Sequence, residues 1–212
     1  MDRRPAHARE AVPIMKFAGF CSNFGITPNQ LSIAGIFFSL FAGICYLMVP
    51  RYSGYEAQLY LLAVVFICSR ALCNLSDGLI AIEYGRKTRS GEIYNDVPDR
   101  ISDIFILVGA SFSVQGHPWA IHIGWSAASM ALITAYIRVL GRAIGAKSYF
   151  VGPMSKNGRL WLIVPASLLE IASHYFPFGF SVIYYSLWII TVGSVITCLR
   201  RLRLIINEIE AM

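Results

Sequence analysis

Six long apolar segments constrain this chain more than any other feature of its sequence. A helix needs about 20 mostly apolar residues to cross the hydrocarbon core of a bilayer. The composition, 56% hydrophobic and 14% charged residues, also departs from that of an average soluble protein. The sequence therefore predicts an all-α, polytopic membrane protein with transmembrane helices at 31–49, 55–82, 98–114, 118–140, 160–176 and 180–199.

The basic residues indicate how this membrane domain, residues 31–199, is oriented. They cluster at the N-terminus, between the second and third segments, between the fourth and fifth, and after the sixth, whereas Arg51 alone lies on the other side. Because Lys and Arg concentrate on the cytoplasmic side, we expect a cytoplasmic N-terminal region at 1–30 and a cytoplasmic tail at 200–212. This charge pattern favours the bacterial inner membrane as the location.

The net charge of +6 bears on which partners the chain binds. It suits anionic lipid headgroups and phosphates. Basic residues interleaved with aromatic residues, as in single-strand binders, do not occur. We therefore expect a lipid bilayer as partner and no nucleic acid.

The first 30 residues lack the short apolar core of a cleavable signal peptide. Residues 11–24 mix apolar side chains with Lys16 and Asn23, a pattern typical of an amphipathic helix lying in the membrane interface. Thr27 and Pro28 then have the residue types of an N-cap and a first helical position. The five cysteines are scattered and lack CxxC spacing, which argues against a zinc site or disulfide framework.

A polar cluster between the second and third apolar segments indicates the function. Asn74 and Asp77 are three residues apart, and Asn95, Asp99 and Asp103 follow at four-residue steps, so each set shares one helical face. Ionisable residues are costly at membrane depth and mark functional sites there. Two such faces opposed would gather oxygen ligands for a hard divalent cation such as Mg²⁺ or Mn²⁺.

The residues of this cluster resemble the CDP-alcohol phosphotransferases, whose motif is D-x2-D-G-x2-A-R-x8-G-x3-D-x3-D. The second and fourth Asp positions are Asp77 and Asp99, and the matching Gly-Ala-Gly positions also agree; the matched small residues are Gly78, Ala81 and Gly91. Asn74 and Asn95 occupy the first and third Asp positions, and Ile82 replaces the Arg. We interpret these departures as a branch of the family with a different acceptor.

The resemblance implies a transfer reaction in phospholipid biosynthesis. A phosphatidyl or other substituted phosphoryl group passes from a CDP-linked donor, such as CDP-diacylglycerol, to an alcohol or phosphorylated polyol, and CMP leaves. It also implies two Mg²⁺ or Mn²⁺ ions, with Asp77 and Asp99 as main ligands and Asn74 and Asn95 as neutral ones. Asp99 is the candidate general base, and Asp103 is the alternative. A homodimer is expected as well.

Further residues are candidates for substrate binding. Gly78 allows close approach of a substrate or of another helix, and the two readings have equal weight. Arg70, one turn before Asn74, should pair with a phosphate or a carboxylate such as Asp103. Other candidates near phosphates follow from sequence position and from the resemblance: Arg86, Gly91, Arg138 and Lys156. For Arg138 and Lys156 the alternative is charge anchoring of the helices alone.

Two other functions fit the same cluster. A non-catalytic relative would bind CDP-lipid or metal without turnover, because Asn replaces Asp. An ion-coupled transporter would use the acids to bind protons or Na⁺, but it would tend to show related halves and broken helices, and the sequence has neither. The acceptor remains open among glycerol phosphate, inositol phosphate, serine and other polyols.

Overall fold

The computed structural model describes residues 12–86, 88–176 and 179–212, and all regular structure in these ranges is helical. This confirms the predicted all-α class. One 3₁₀ turn, Val49–Arg51, follows the second helix. The seven α-helices are α1 (Val12–Asn23), α2 (Pro28–Met48), α3 (Glu56–Glu83), α4 (Gly91–Ser113), α5 (Ala120–Ala143), α6 (Lys156–Tyr175) and α7 (Val182–Ile209).

The start of α2 forms as the sequence predicts. Gly25 adopts a φ of +75°, which a glycine reaches without strain, and it separates α1 from α2. Thr27 is the N-cap, and its side chain accepts a hydrogen bond from the backbone N–H of Gln30 while the Gln30 side chain accepts one from the Thr27 N–H. Pro28 stands at the first helical position, where its missing N–H costs nothing.

Helix α1 packs on α3 through a small cluster of buried side chains. Ala18 and Cys21 lie against Cys73 and Ile80 of α3. Val12, Met15 and Phe20 remain exposed on α1, so the helix has a buried and an exposed apolar surface. Its position in the membrane interface stays a prediction, and residues 1–11 lie outside the described part of the chain.

All six predicted apolar segments are helical, but four helices meet the length and apolarity expected of a membrane span. These are α2 with its 3₁₀ turn (Pro28–Arg51), α3, α5 and α7. The other two are more polar because they carry charged side chains: Glu92, Asp96, Asp99, Arg100 and Asp103 in α4, and Lys156, Arg159 and Glu170 in α6. Six transmembrane helices therefore remain a prediction.

Helix α2 packs between α3 and α4. Two glycines, Gly43 on α2 and Gly109 on α4, bring α2 and α4 into close contact. A Cβ placed on Gly43 would lie 2.7 Å from the Phe105 carbonyl oxygen, and one on Gly109 would lie 2.5 Å from the Gly43 Cα. Helix α4 continues the packing to α5, α5 packs on α7, and α6 packs on α3 and α7. Small residues at such crossings are typical of membrane helix pairs.

Two helix ends differ from the predicted segments. Helix α4 begins at Gly91, seven residues before the predicted span, and its first two turns carry the polar residues Glu92, Asn95 and Asp96. Helix α7 continues past 199 to Ile209, so the predicted tail boundary at 200 falls inside a helix. Ile205 is buried there, where a Cβ on Gly141 of α5 would come within 2.5 Å of its Cδ1 atom.

Candidate active site

A narrow cleft lies where α2, α3 and α4 meet. Its volume is about 10 Å³, the size that holds one water-sized particle. Three of the predicted metal ligands line it together with Arg70. The full lining is Leu31, Ser32, Gly35, Arg70, Asn74, Asn95, Pro98, Asp99 and Ser102. Asn74, Asn95 and Asp99 come from two helices, α3 and α4, and the structure places all three at this cleft.

Asp99 is the most heavily contacted carboxylate of this cleft. Its Oδ1 lies 3.0 Å from Arg70 Nη2, and it also accepts a hydrogen bond of 3.2 Å from the Asn74 side-chain amide. Its Oδ2 lies 2.5 Å from the Lys156 ammonium and 3.8 Å from Arg100. Since Asp99 is only 5% exposed, these cations compensate for the loss of water around a buried charge.

Asp77 stands behind the cleft wall and does not line the cleft directly. It is 5% exposed, and its Oδ2 accepts a hydrogen bond of 2.6 Å from Ser32, which does line the cleft. Ser32 lies 45 residues away in sequence, and no spacing pattern connects the two residues. The sequence analysis missed Ser32 for that reason.

Asp103 and Arg159 form a second buried ion pair next to the first. Arg159 Nη2 lies 2.7 Å from Asp103 Oδ2, and the two side chains are 3% and 7% exposed. Arg70 pairs with a carboxylate, as expected, but this carboxylate is Asp99, one turn closer to the start of α4 than the suggested Asp103. Arg159 was not a candidate, although its position three residues after Lys156 puts both on one face of α6.

Arg138 contacts an acid that the sequence analysis left out. Its Nη2 lies 2.8 and 2.9 Å from the two oxygens of Asp96, and its guanidinium lies 5.3 Å from the ring centroid of Phe150. One turn away, Arg142 pairs with Glu92 at 3.2 Å on the exposed surface. Both pairs join α4 to α5, so Arg138 is held at the rim of the charged region by a carboxylate and an aromatic ring.

The other substrate-binding candidates lie outside the cleft lining. Arg86 donates hydrogen bonds to the backbone carbonyls of Ser22, at 3.2 Å, and Ile26, at 3.5 Å. It thereby satisfies carbonyl groups at the end of α1. Gly91 is the first residue of α4, with Thr88 as its near neighbour, and Gly78 is buried within α3 beside Asp77.

The candidate metal ligands are two carboxylates and two carboxamides. Asp77 and Asp99 are the charged oxygen donors, and Asn74 and Asn95 offer amide oxygens. No three His, Cys, Asp or Glu side chains come together as metal ligands anywhere in 12–86, 88–176 or 179–212. Asn95 is exposed at the rim, whereas both acids are buried. Oxygen donors of this kind suit Mg²⁺ or Mn²⁺.

A model of the CDP-alcohol phosphatidyltransferase family matches residues 25–202. The chain belongs to this family. The match runs from the turn before α2 into α7 and therefore includes every cleft residue described above. The prediction of a CDP-alcohol phosphotransferase is confirmed at the level of the family, and that of a branch with Asn at two Asp positions stays a prediction.

Two relatives are each 25% identical to this chain. Archaetidylinositol phosphate synthase of Pyrococcus horikoshii aligns over 162 residues, which are 74% of this chain and 78% of the relative. Inner membrane protein YnbA of Escherichia coli aligns over 134 residues, which are 63% of each chain. The alignment thus spans less than two thirds of the length of YnbA. Together with the apolar helices, the kinship supports an integral membrane protein.

Crystal structures of Mycobacterium tuberculosis phosphatidylinositol phosphate synthase (PgsA1) share the fold. The structure with CDP-DAG bound has a TM-score of 0.74 at 23% identity, and the match covers 92% of this chain and 94% of that chain. The complex with manganese and citrate has a TM-score of 0.73 at 23% identity, with 91% and 88% covered. The arrangement of helices described above is therefore shared with PgsA1.

Proposed function

We propose that this chain transfers a phosphatidyl group from CDP-diacylglycerol, or a closely related CDP-linked donor, to a hydroxyl-bearing acceptor and releases CMP. The observation that carries the proposal is the buried charged cleft of a family member, in which Asp99 borders Arg70 and Lys156 and Asp77 lies one hydrogen bond behind. Ionisable residues buried at membrane depth are costly and mark functional sites there.

The transfer itself is a displacement at phosphorus. The acceptor oxygen forms a bond to the β-phosphorus of the donor, the bond from that phosphorus to the bridging oxygen breaks, and CMP leaves with the bond electrons. The acceptor hydroxyl loses its proton to a base. Asp99 is the better candidate, because it lines the cleft, whereas Asp103 is held by Arg159 away from it.

Divalent metal is part of the proposal. The residues that would hold Mg²⁺ or Mn²⁺ are Asp77, Asp99, Asn74 and Asn95, and a bound cation would stabilise the negative charge of the diphosphate. One PgsA1 structure is a complex with manganese, which supports this choice of metals. The resemblance to the family implied two such ions for this site.

The acceptor class follows from the basic side chains next to the cleft. Lys156 and Arg138 lie on either side of the acidic face of α4, and two of the relatives are synthases of inositol phosphate lipids. We therefore propose a phosphorylated polyol as acceptor. The site would open to the cytoplasm of a bacterial inner membrane, with both termini on that side and the chain acting as a homodimer.

A non-catalytic relative is the second candidate. It is favoured by one observation, namely that both oxygens of Asp99, the proposed base, are already engaged by Arg70 and Lys156. Such a protein would retain CDP-diacylglycerol binding and show no transfer with any acceptor.

The experiment that separates these functions is CMP release by the purified protein in detergent. Labelled CDP-diacylglycerol is supplied with a panel of acceptors, including glycerol phosphate, inositol phosphate and serine, with Mn²⁺ or with excess chelator. We expect Mn²⁺-dependent CMP release with a phosphorylated polyol. Donor binding without CMP release for every acceptor would support the non-catalytic relative instead.

The Asp77→Asn variant tests the same site by mutation. Because Asp77 is one of only two acids in the donor set, we expect CMP release to fall by at least about a hundredfold. The control is Glu83→Gln, which removes an exposed acid from the same helix and should retain activity. Full activity of Asp77→Asn would contradict the proposed site.

A further inference from the structure

The charge of the donor set is low for a pair of divalent cations. The motif of the family has an acid at each of four positions, whereas this chain has carboxamides at two of them, Asn74 and Asn95. A carboxamide oxygen can coordinate a cation but carries no charge. Two divalent cations would therefore face two carboxylates, Asp77 and Asp99, and half of their charge would be unbalanced in a buried place.

Protein cations already face one of these carboxylates, Asp99; the two nearest are Arg70 and Lys156, and Arg100 lies 3.8 Å away. Arg70, which is 2% exposed, lies 3.0 Å from Asp99 Oδ1, and the Lys156 ammonium lies 2.5 Å from Asp99 Oδ2. Arg70 stands one turn before Asn74 on α3, and Lys156 is the first residue of α6. Their charge equals that of one divalent cation, and it is applied to the carboxylate at the fourth motif position.

One atom of this arrangement points to a ligand. The second terminal nitrogen of Arg70, Nη1, is buried and has no hydrogen-bond partner among the described residues. A buried donor without a partner costs about 1–3 kcal/mol, and Arg70 lines the cleft. A guanidinium that uses one nitrogen for a carboxylate can offer the other to a phosphate oxygen, the ligand that Arg binds best.

We infer that the site takes one divalent cation, held on the side of Asp77, Asn74 and Asn95, and that Lys156 and Arg70 supply the positive charge of a second. The inference rests on the proposed function and refines it. Arg70 is assigned to the diphosphate of the donor through Nη1, while Nη2 keeps Asp99 in place. With one cation, the charges of Arg70 and Lys156 offset the two carboxylates, and the cation offsets the doubly charged diphosphate.

The number of bound ions is measured directly. Mn²⁺ is titrated into purified, chelator-treated protein in detergent, and free Mn²⁺ is followed by electron paramagnetic resonance at each step. We expect one tightly bound Mn²⁺ per chain in the unmodified protein. The double variant Asn74→Asp/Asn95→Asp, which restores all four acids, should bind two. Two tightly bound ions, or none, in the unmodified protein would overturn the inference.

A second variant tests the role of Lys156 without relying on turnover. Lys156→Met removes the ammonium from Asp99 and should tighten Mn²⁺ binding about tenfold or admit a second ion, an effect of the size that neighbouring groups have on metal sites. The control is Lys147→Met, which removes an exposed positive charge from the preceding loop and should leave Mn²⁺ binding unchanged. Thermal unfolding shows whether Lys156→Met is folded, and Lys156→Gln replaces it if it is not. Unchanged Mn²⁺ binding in the folded variant would contradict the assignment.

The same samples separate this inference from the proposed function. CMP release with two bound ions would leave the function intact and overturn the single-ion site. One bound ion without CMP release from any donor and acceptor pair would support the count of ions and contradict the transferase.

Discussion

Asp99 connects three helices through one carboxylate. Arg70 and Asn74 reach it from α3, Lys156 reaches it from α6, and Asp99 itself stands on α4. A carboxylate held by this many donors has a fixed orientation, which a base or a metal ligand requires. Replacement of Asp99 would therefore disturb structure and chemistry together, and the neutral members of the site are better probes.

The two asparagines give the cleanest prediction at this scale. Asn74→Leu and Asn95→Leu each replace the carboxamide with a side chain of similar volume that has no oxygen donor. We therefore expect the Mn²⁺ concentration for half-maximal CMP release to rise about tenfold in each variant. Asn74→Asp and Asn95→Asp keep the oxygen and should lower that concentration. The measurement is an activity titration with Mn²⁺ in wild type and the four variants.

The control for these variants is Asn207→Leu, on the exposed surface of α7 near its end. It should leave the half-maximal Mn²⁺ concentration unchanged. If both cleft leucine variants behave like this control, neither asparagine contacts a metal, and the ligands reduce to Asp77 and Asp99.

The sequence was sufficient to find the acids of the site but not their partners. Helical spacing places Asn95 and Asp99 on one face of α4, and the family motif that they match adds Asn74 from α3. Ser32 beside Asp77 and Arg159 beside Asp103 come from other helices. Contacts of that kind depend on how helices cross, which is decided by side-chain packing and not by local spacing.

Among the helices, α1 is joined to the loop after α3 by the side chain of Arg86. Arg86 donates to two carbonyls at and beyond the end of α1. The sequence analysis placed Arg86 at the substrate, because it follows the motif by one turn. The helix end that it caps was not recognisable, since residues 22–26 and 86 are distant in sequence.

We therefore expect Arg86→Ala to loosen α1 without impairing donor binding. Loss of these hydrogen bonds should cost about 1 kcal/mol and increase hydrogen exchange in residues 12–23. The control is Arg89→Ala, an exposed arginine of the same loop. A large rise in the KM for CDP-diacylglycerol with unchanged exchange in α1 would instead support the substrate role first assigned to Arg86.

The contact of α2 with α4 is set by Gly43 and Gly109. An alanine at Gly43 would meet the Phe105 carbonyl at 2.7 Å, so the helices must separate. We expect Gly43→Ala to lower the stability by about 1–3 kcal/mol, measured by thermal unfolding in detergent. Gly35→Ala is the matched control in the same helix, because its nearest neighbour, Arg70 Cγ, is 3.7 Å away. A stability of Gly43→Ala equal to that of Gly35→Ala would contradict the close crossing.

For the whole molecule, the distribution of charge predicts an orientation that helix packing alone does not give. Among the cleft residues, Asn74, Asn95 and Asp99 lie in the halves of α3 and α4 nearer to the end of α3 at Glu83 and the start of α4 at Gly91. The turn between α4 and α5 lies at the opposite end of α4. If basic loops face the cytoplasm, the active site opens there, where CDP-linked donors and phosphorylated acceptors meet.

Cysteine labelling tests this orientation. In a background with all five cysteines replaced, Thr88→Cys should be protected from an impermeant maleimide in intact cells and react after lysis. Gln115→Cys, in the opposite turn, is the matched position and should react in intact cells. Both residues are exposed, so burial does not explain a difference. Labelling of position 88 from outside would reverse the topology.

If α4 crosses the bilayer, as the sequence predicts, its acidic side chains also determine when this helix can settle there during synthesis. Glu92, Asp96, Asp99 and Asp103 find basic partners on α5 and α6, which are translated later. Arg70 is the one partner in these pairs that precedes α4 in the chain. Until α6 has emerged from the ribosome, α4 would meet lipid with most of its charges uncompensated, at a cost of about 2.5–3.5 kcal/mol for an acid at mid-membrane. Helices α4 to α6 should therefore leave the insertion machinery together and not one at a time.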